Sequence, residues 1–186
     1  MSLIKTSDTR PFAAFLRGVN VAGKNRLNMA ELRAWMLHGG FQNVRSFIQS
    51  GNLVFRAPVS GSAADLEDAL QAGLRDRFSL EVPVLLRSPQ ELKTLISKAP
   101  FDPLNEPVAG RYVTLLKTEP PPVAELPEIP APDRLAAGSR ELYLYLPGGY
   151  GRTRWNNSFW ERRLGQPATT RNWQTLNLML DLLAGT

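Results

Sequence analysis

FAAFLRGVNVAGKNRLNM, residues 12–29, is the stretch whose reading decides the fold. The apolar run from Phe12 to Leu16 reads as a buried strand. It stops at Arg17 and enters a polar loop punctuated by Gly18 and Gly23, which carries Arg17, Lys24 and Arg26 and no acid. A helix begins behind Asn28. Asn28 and Glu31 stand at capping-box spacing, so the asparagine can accept from an orphan helix N–H while Glu31 reaches back. Strand, basic loop and capped helix form the frame from which the rest of the chain is read.

Outward from that frame, Met29, Leu32 and Met36 share one helical face, and the helix ends at Gly39–Gly40. His38 precedes those glycines, where the helix dipole favours a cation. Residues 44–49 and 52–56 read as a hairpin turning at Ser50–Gly51. Ser62 caps a second helix, with Leu66, Leu70, Leu74 and Phe78 spaced by four along its inner side. Residues 82–87 follow as a strand, and Pro83 argues for a sheet edge. Strand, helix, strand, strand, helix, strand is the ferredoxin-like split βαβ order. In that topology strand three lies beside strand one. The 17–20 loop and the 49–52 turn should therefore converge, which is where a site is expected.

The second half is less regular. Ser88, Pro89 and Glu91 make a strong helix start. Residues 111–117 and 140–146 read as strands. Between them, 119–132 holds six prolines and reads as extended connection, a stronger reading than a proline-rich ligand for a partner module. Residues 146–154 form a glycine-rich turn, a helix runs from about Asn157 to Leu164 and closes at Gly165, and a last helix begins near Asn172 or Trp173. Leu176, Leu180 and Leu183 are its expected inner face. The fold class is thus α+β. A ferredoxin-like first subdomain (11–88) is followed by a smaller α+β subdomain (89–186), the two packed as one compact unit. Both halves mix strands and helices in a way that could reflect a remote duplication, though no sequence repeat is clear.

Composition bounds the function. Hydrophobic residues are 43 % and charged residues 21 %, as in an ordinary globular protein. There is no cysteine, so disulfides, a thiolate nucleophile and a cysteine-based metal site are excluded, and one histidine cannot build a histidine-rich metal site. The first ten residues do not read as a signal peptide and no run approaches membrane-spanning length, so the expected compartment is the cytoplasm. The net charge of +5 is uneven. Six basic residues between positions 12 and 56 face Glu31 alone, and five arginines between 150 and 175 face Glu161 alone. The middle, 63–140, holds twelve acids and nine bases. The excess sits in the two outer segments, which would make one composite basic surface if they meet. A merely solvated arginine-rich surface is the competing account.

Four segments carry possible chemistry. The run from Gly18 to Asn25 satisfies the phosphate-loop pattern until its last position, where Asn25 replaces the magnesium-binding hydroxyl, so a nucleotide triphosphatase is disfavoured. Its glycines beside Arg17, Lys24 and Arg26 could still hold an anion. Gln49-Ser50-Gly51-Asn52 is either a self-satisfying hairpin turn or a binding segment. Ser50 has no base beside it and is not read as a nucleophile. Before the last helix, Thr170 or Asn172 can cap, while Arg171 opposes the macrodipole, either to clamp an anion or to make an internal ion pair. Gly148-Gly-Tyr-Gly-Arg152, with Arg154 and Trp155, has the composition of single-strand nucleic-acid sites. The strands lack the aromatic series of RNA-recognition modules, so these aromatics read as core.

Three of these segments together, Leu16-Arg17-Gly18-Val19-Asn20 with Gly23-Lys24, Ile48-Gln49-Ser50-Gly51-Asn52, and Thr169-Thr170-Arg171-Asn172-Trp173, resemble the hallmark segments of a bacterial family catalogued as domain-of-unknown-function family 1697. The resemblance runs from about Phe12 to Leu183 and departs mainly at the proline-rich 119–132. It implies a two-part α+β protein with a ferredoxin-like first half, and no activity. The expected ligand-binding set is Arg17, Asn20, Lys24, Ser50 and Asn52 in one polar pocket, with Arg171 and Asn172 closing it. The expected ligand is a small molecule bearing phosphate or carboxylate. The alternatives are nucleic-acid binding over a basic face and a phosphoester-processing enzyme. Catalytic residues are not assigned. No metal, cofactor or membrane partner is expected, and the oligomeric state is left open.

Overall fold

β1 (Thr9–Leu16) is the strand on which the first half is built. Successive side chains of a strand point to opposite faces, and Phe12, Ala14 and Leu16 enter one core. A computed structural model of the chain describes residues 8–59 and 61–186. It divides into two compact units, Met1–Pro89 with Met179–Thr186, and Gln90–Leu178.

In the first unit, α1 (Met29–His38) buries Met29, Leu32 and Met36, the face expected from spacing. Asn28 Oδ1 accepts from the N–H of Ala30 at 2.9 Å and of Glu31 at 3.4 Å. Glu31 does reach back, but to the Asn28 side-chain amide at 3.2 Å. β2 (Gln42–Phe47) and β3 (Asn52–Pro58) form the hairpin. Its loop has four residues, because Phe47 and Asn52 are the last facing pair and Ile48 and Gly51 both take positive φ, 49° and 75°. α2 (Ala63–Phe78) starts in a complete Ser62–Asp65 capping box and buries Leu70 and Leu74. β4 (Val84–Arg87) closes the sheet in the order β2-β3-β1-β4, antiparallel throughout. Strand three does lie beside strand one.

β4 is an edge, as Pro83 foretold, and an open edge leaves backbone donors unpaired. Two residues one turn apart on α2 meet that need. Gln71 Oε1 accepts from Val84 N–H at 3.1 Å, and buried Glu67 Oε1 accepts from Leu86 N–H at 2.7 Å. At the other edge, Asn43 and Arg45 of β2 donate to the carbonyls of Thr186 and Gly185.

The second unit takes up α3 (Pro89–Ser97) and has a sheet of β5 (Arg111–Leu116), β6 (Arg134–Ala137), β7 (Glu141–Tyr145) and β8 (Ala168–Asn172), with α4 (Asn157–Leu164) before β8. α5 (Trp173–Ala184) ends the chain. The strand order is β6-β7-β5-β8, again antiparallel. This is the plan of the first unit repeated in register. Phe15 faces Asn52 and Leu85, and Leu115 faces Glu141 and Thr169. The N–H of Leu16, last in β1, donates to Gly51 O at 2.8 Å; that of Leu116, last in β5, donates to Arg140 O at 2.9 Å. Arg87 and Arg171 occupy equivalent positions, facing Ala13 and Val113. The two plans differ where α1 should recur. There the proline-rich 119–132 lacks the N–H groups a helix needs, and it packs Leu126 and Ile129 against the core of Leu116, Leu142, Leu144, Trp155 and Trp160 instead. Among the described residues no helix is long and apolar enough to cross a membrane.

Candidate functional site

The site of the first unit forms where β1 leaves the sheet. Leu16 N–H is bonded to Gly51 O, and Arg17 N–H to Pro83 O at 2.9 Å, so the strand end is fixed on both sides. Beyond it the backbone turns sharply. Gly18, Asn20, Ala22, Gly23 and Asn25 all have positive φ. Lys24 N–H closes a tight turn on Val21 O at 3.0 Å, and Asn20 N–H meets Asn25 O at 3.1 Å. Left-handed backbone is routine for glycine and tolerated by asparagine, which accounts for the Gly/Asn spelling of this loop.

Asn20 joins the loop to the hairpin. Its Nδ2 donates to Leu27 O at 2.8 Å and to Gln49 O at 2.7 Å, and its Oδ1 accepts from Leu27 N–H at 2.8 Å. Gly51 supplies the close approach. A Cβ there would stand 2.4 Å from Val19 Cγ2 and 2.7 Å from Leu16 Cβ. The 17–20 loop and the 49–52 turn therefore do converge. Asn52, fully buried, donates Nδ2 to Phe47 O at 3.3 Å and to Ser50 Oγ at 3.1 Å, and so braces the turn from within.

The convergence opens a groove of about 650 Å³, lined by Asn20, Gly23, Arg26, Asn28, Glu31 and Gln49, with Leu27 and Phe78 as apolar wall. Of the residues expected in a site, Asn20 lines it. Lys24 is exposed on the neighbouring turn and Arg17 is half-buried at the strand end. Arg26, the loop cation expected to help hold an anion beside the glycines but not placed in the pocket set, lines the groove too, and Gln49 and Glu31 are additions. The signal for them was available in sequence, since Gln49 opens the converging turn and Glu31 stands three residues after the Asn28 cap. Arg26 makes no hydrogen bond or ion pair through its side chain among the described residues.

Arg171 and Asn172 belong to the second unit, where they end β8. Arg171 Nη1 donates to Thr169 Oγ1 at 2.8 Å and to Thr170 O at 2.9 Å. Asn172 Oδ1 accepts from Thr175 N–H at 2.8 Å and so caps α5, as its position implied. Thr170 is the centre of a hydroxyl network. Its Oγ1 lies 2.8 Å from Thr114 Oγ1, 2.7 Å from Asn157 Oδ1 and 3.1 Å from the Tyr150 hydroxyl. Tyr150 in turn accepts from Asn157 N–H at 2.9 Å, tying the glycine-rich 148–151 loop to the start of α4. Deeper in this unit the Tyr143 hydroxyl donates to Leu95 O at 2.8 Å. Burial, then the neighbouring Glu141 carboxylate, hold its ionisation well above the ordinary phenol range. Among the described residues no group of three or more histidine, aspartate or glutamate side chains could hold a metal ion.

The profile of a protein family of unknown function, DUF1697, matches residues 10–143, most of the chain. The chain belongs to the DUF1697 family. Among solved structures, a conserved bacterial protein from Streptococcus pneumoniae, SP0830, matches with a TM-score of 0.73 at 23 % identity. The match covers 95 % of the present chain and 99 % of that one, so this DUF1697 chain shares its mixed α+β fold over most of its length. No curated protein matches.

Proposed function

We propose that the first unit, read as a ferredoxin-like split βαβ domain, binds a small phosphate- or carboxylate-bearing molecule in the groove between the 17–28 loop and the 48–51 turn. The observation that carries this reading is Arg26, an exposed guanidinium on the wall of that groove with no acidic partner among the described residues. A guanidinium presents its donors as a planar fork matched to a carboxylate or phosphate edge. Lys24, on the adjoining turn, adds a second positive charge, and Arg17 a third at the strand end. Asn20, Ser50 and Asn52 serve the site by holding its two walls in place, since their amide and hydroxyl groups bond to the loop and the turn. Glu31, beside Asn28, and Gln49, on the turn, give the groove acceptors. The preferred ligand therefore carries hydroxyl or amino groups a few bonds from its anion.

A thermal-shift series tests this reading. Phosphate, pyrophosphate, sugar phosphates and dicarboxylates are each titrated against the chain and against Arg26→Ala. A ligand that binds only the native state raises the melting temperature with its concentration. The reading requires a rise for at least one such anion that disappears in Arg26→Ala, and it fails if every rise survives that substitution.

A further inference from the structure

The second unit carries a separate charged surface. The loop entering α4 holds Arg152 and Arg154, and the last turn of α4 holds Arg162 and Arg163, all four exposed. None of the four makes an ion pair among the described residues. The acid among them, Glu161, is half-buried and accepts from Ala168 N–H at 3.4 Å. Arg163 Nη2 donates to Glu125 O at 3.2 Å, and the guanidiniums exposed along this loop and the helix it enters gain most from a partner that brings several negative charges at once.

The surface is also held in shape. Tyr150 ties the loop to the first residue of α4, at 2.9 Å from Asn157 N–H. Arg154 lies over the Trp155 ring, 4.1 Å from its centroid, and Trp155 is buried against Phe159 and Trp160 of the same helix. Trp160 Nε1 donates back to Trp155 O at 3.0 Å. Loop and helix arginines are thus mounted on one small aromatic core.

We propose that this surface binds the sugar–phosphate backbone of single-stranded nucleic acid, without reading its bases. The rings next to the arginines are largely engaged within the unit: Trp155 is 4 % exposed and lies under the Arg154 guanidinium, and Tyr150 is half-buried with its ring against Tyr112, 5.5 Å between centroids. What remains is a set of planar forks suited to phosphate oxygens. α4 has eight residues and rises only about 12 Å, so the patch is short. A flexible strand can bring successive phosphates to it, whereas a rigid duplex touches so short a patch with few. A membrane surface is the poorer fit. None of the exposed large hydrophobic residues lies between 148 and 164, so nothing flanks the arginines that could enter a bilayer.

The experiment is fluorescence anisotropy with a labelled deoxythymidine strand about twelve residues long, within the range such sites cover. The same measurement uses a duplex of equal length and, by co-sedimentation, vesicles containing phosphatidylserine. The variant is Arg152→Glu with Arg162→Glu, since neither side chain makes a contact whose loss could unfold the unit. The control is Lys93→Glu with Lys98→Glu, which changes net charge equally on α3 and at the residue after it. The proposal predicts strand binding at low salt, weaker in the arginine variant by about tenfold or more and unchanged in the control, with the log–log salt slope reduced by about 1.4 for two lost phosphate contacts. Equal loss in both variants, binding unaffected by either, tighter binding to duplex or to vesicles, or no binding at low salt would each overturn it.

Discussion

Replacing Asn20 by alanine tests how the groove is held. The side chain makes three hydrogen bonds of 2.7–2.8 Å, two of them to the backbone of buried Leu27 and one to the carbonyl of exposed Gln49. A lost hydrogen bond costs about 1 kcal/mol net, and less where water can replace the partner, as at Gln49. Alanine must also keep φ near 54°, which costs about 1 kcal/mol more for a residue with a Cβ and no local hydrogen bond. The expected destabilisation is therefore about 3 kcal/mol, read in urea unfolding as a lower midpoint at unchanged slope. Asn20→Gly separates the contributions, because it loses the bonds but not the backbone tolerance, and should cost about 2 kcal/mol. Amide exchange at Leu27 should accelerate in both variants. If Asn20→Ala shifts stability by less than about 0.5 kcal/mol, as an ordinary surface substitution does, the bracing role assigned to Asn20 is wrong.

Three further outcomes follow from the same geometry. Gly51→Ala forces a Cβ to within 2.4 Å of Val19 Cγ2 and holds it at φ 75°, so it should destabilise by about 2–4 kcal/mol in the same unfolding assay. Glu67→Ala leaves the Leu86 N–H of the edge strand without its 2.7 Å acceptor and should cost about 1–3 kcal/mol, whereas Glu67→Gln, which keeps an amide oxygen there, should recover part of it. The Ser62 backbone N–H, then its hydroxyl, hold the Asp65 carboxyl below its ordinary value. That contribution is present above the unfolded carboxylate pKa and is lost as pH falls through the folded one, so Asp65→Asn should flatten the acid limb of the stability curve.

How much of this was legible in the sequence varied with the local physics. The first unit was legible because its elements are long and punctuated. Asn28 and Ser62 cap helices whose leucines and methionines repeat at helical spacing, and Pro83 marks an edge. From that order alone came the meeting of the 17–20 loop with the 49–52 turn, which Leu16, Asn20 and Gly51 make in atoms. β6 and β8 were not legible as strands. β6 is only four residues long and follows the prolines, and β8 reads Ala-Thr-Thr-Arg-Asn, whose polar residues are cap formers as readily as strand formers. Without them the second sheet could not be ordered, and its repetition of the first showed only as a similar mix of strands and helices in the two halves. The site residues were found by segment and not by side chain. Their segment makes Asn52 and Ser50 expected pocket lining, yet Asn52 points its amide into the turn it belongs to, while Arg26, Glu31 and Gln49 line the groove. Sequence separation locates converging loops, but which side chain faces the opening depends on backbone turns that several positive φ angles set.

The central claim is that the groove of the first unit takes a small anion through Arg26. Its most direct measurement is a titration of the isotope-labelled chain with pyrophosphate, following backbone and Arg26 side-chain resonances by nuclear magnetic resonance. The account predicts saturable shifts confined to residues 20–31 and Gln49, including the Arg26 guanidinium, and their loss in Arg26→Ala. Saturable shifts at other positions with 20–31 silent, or the same shifts in Arg26→Ala, would contradict it.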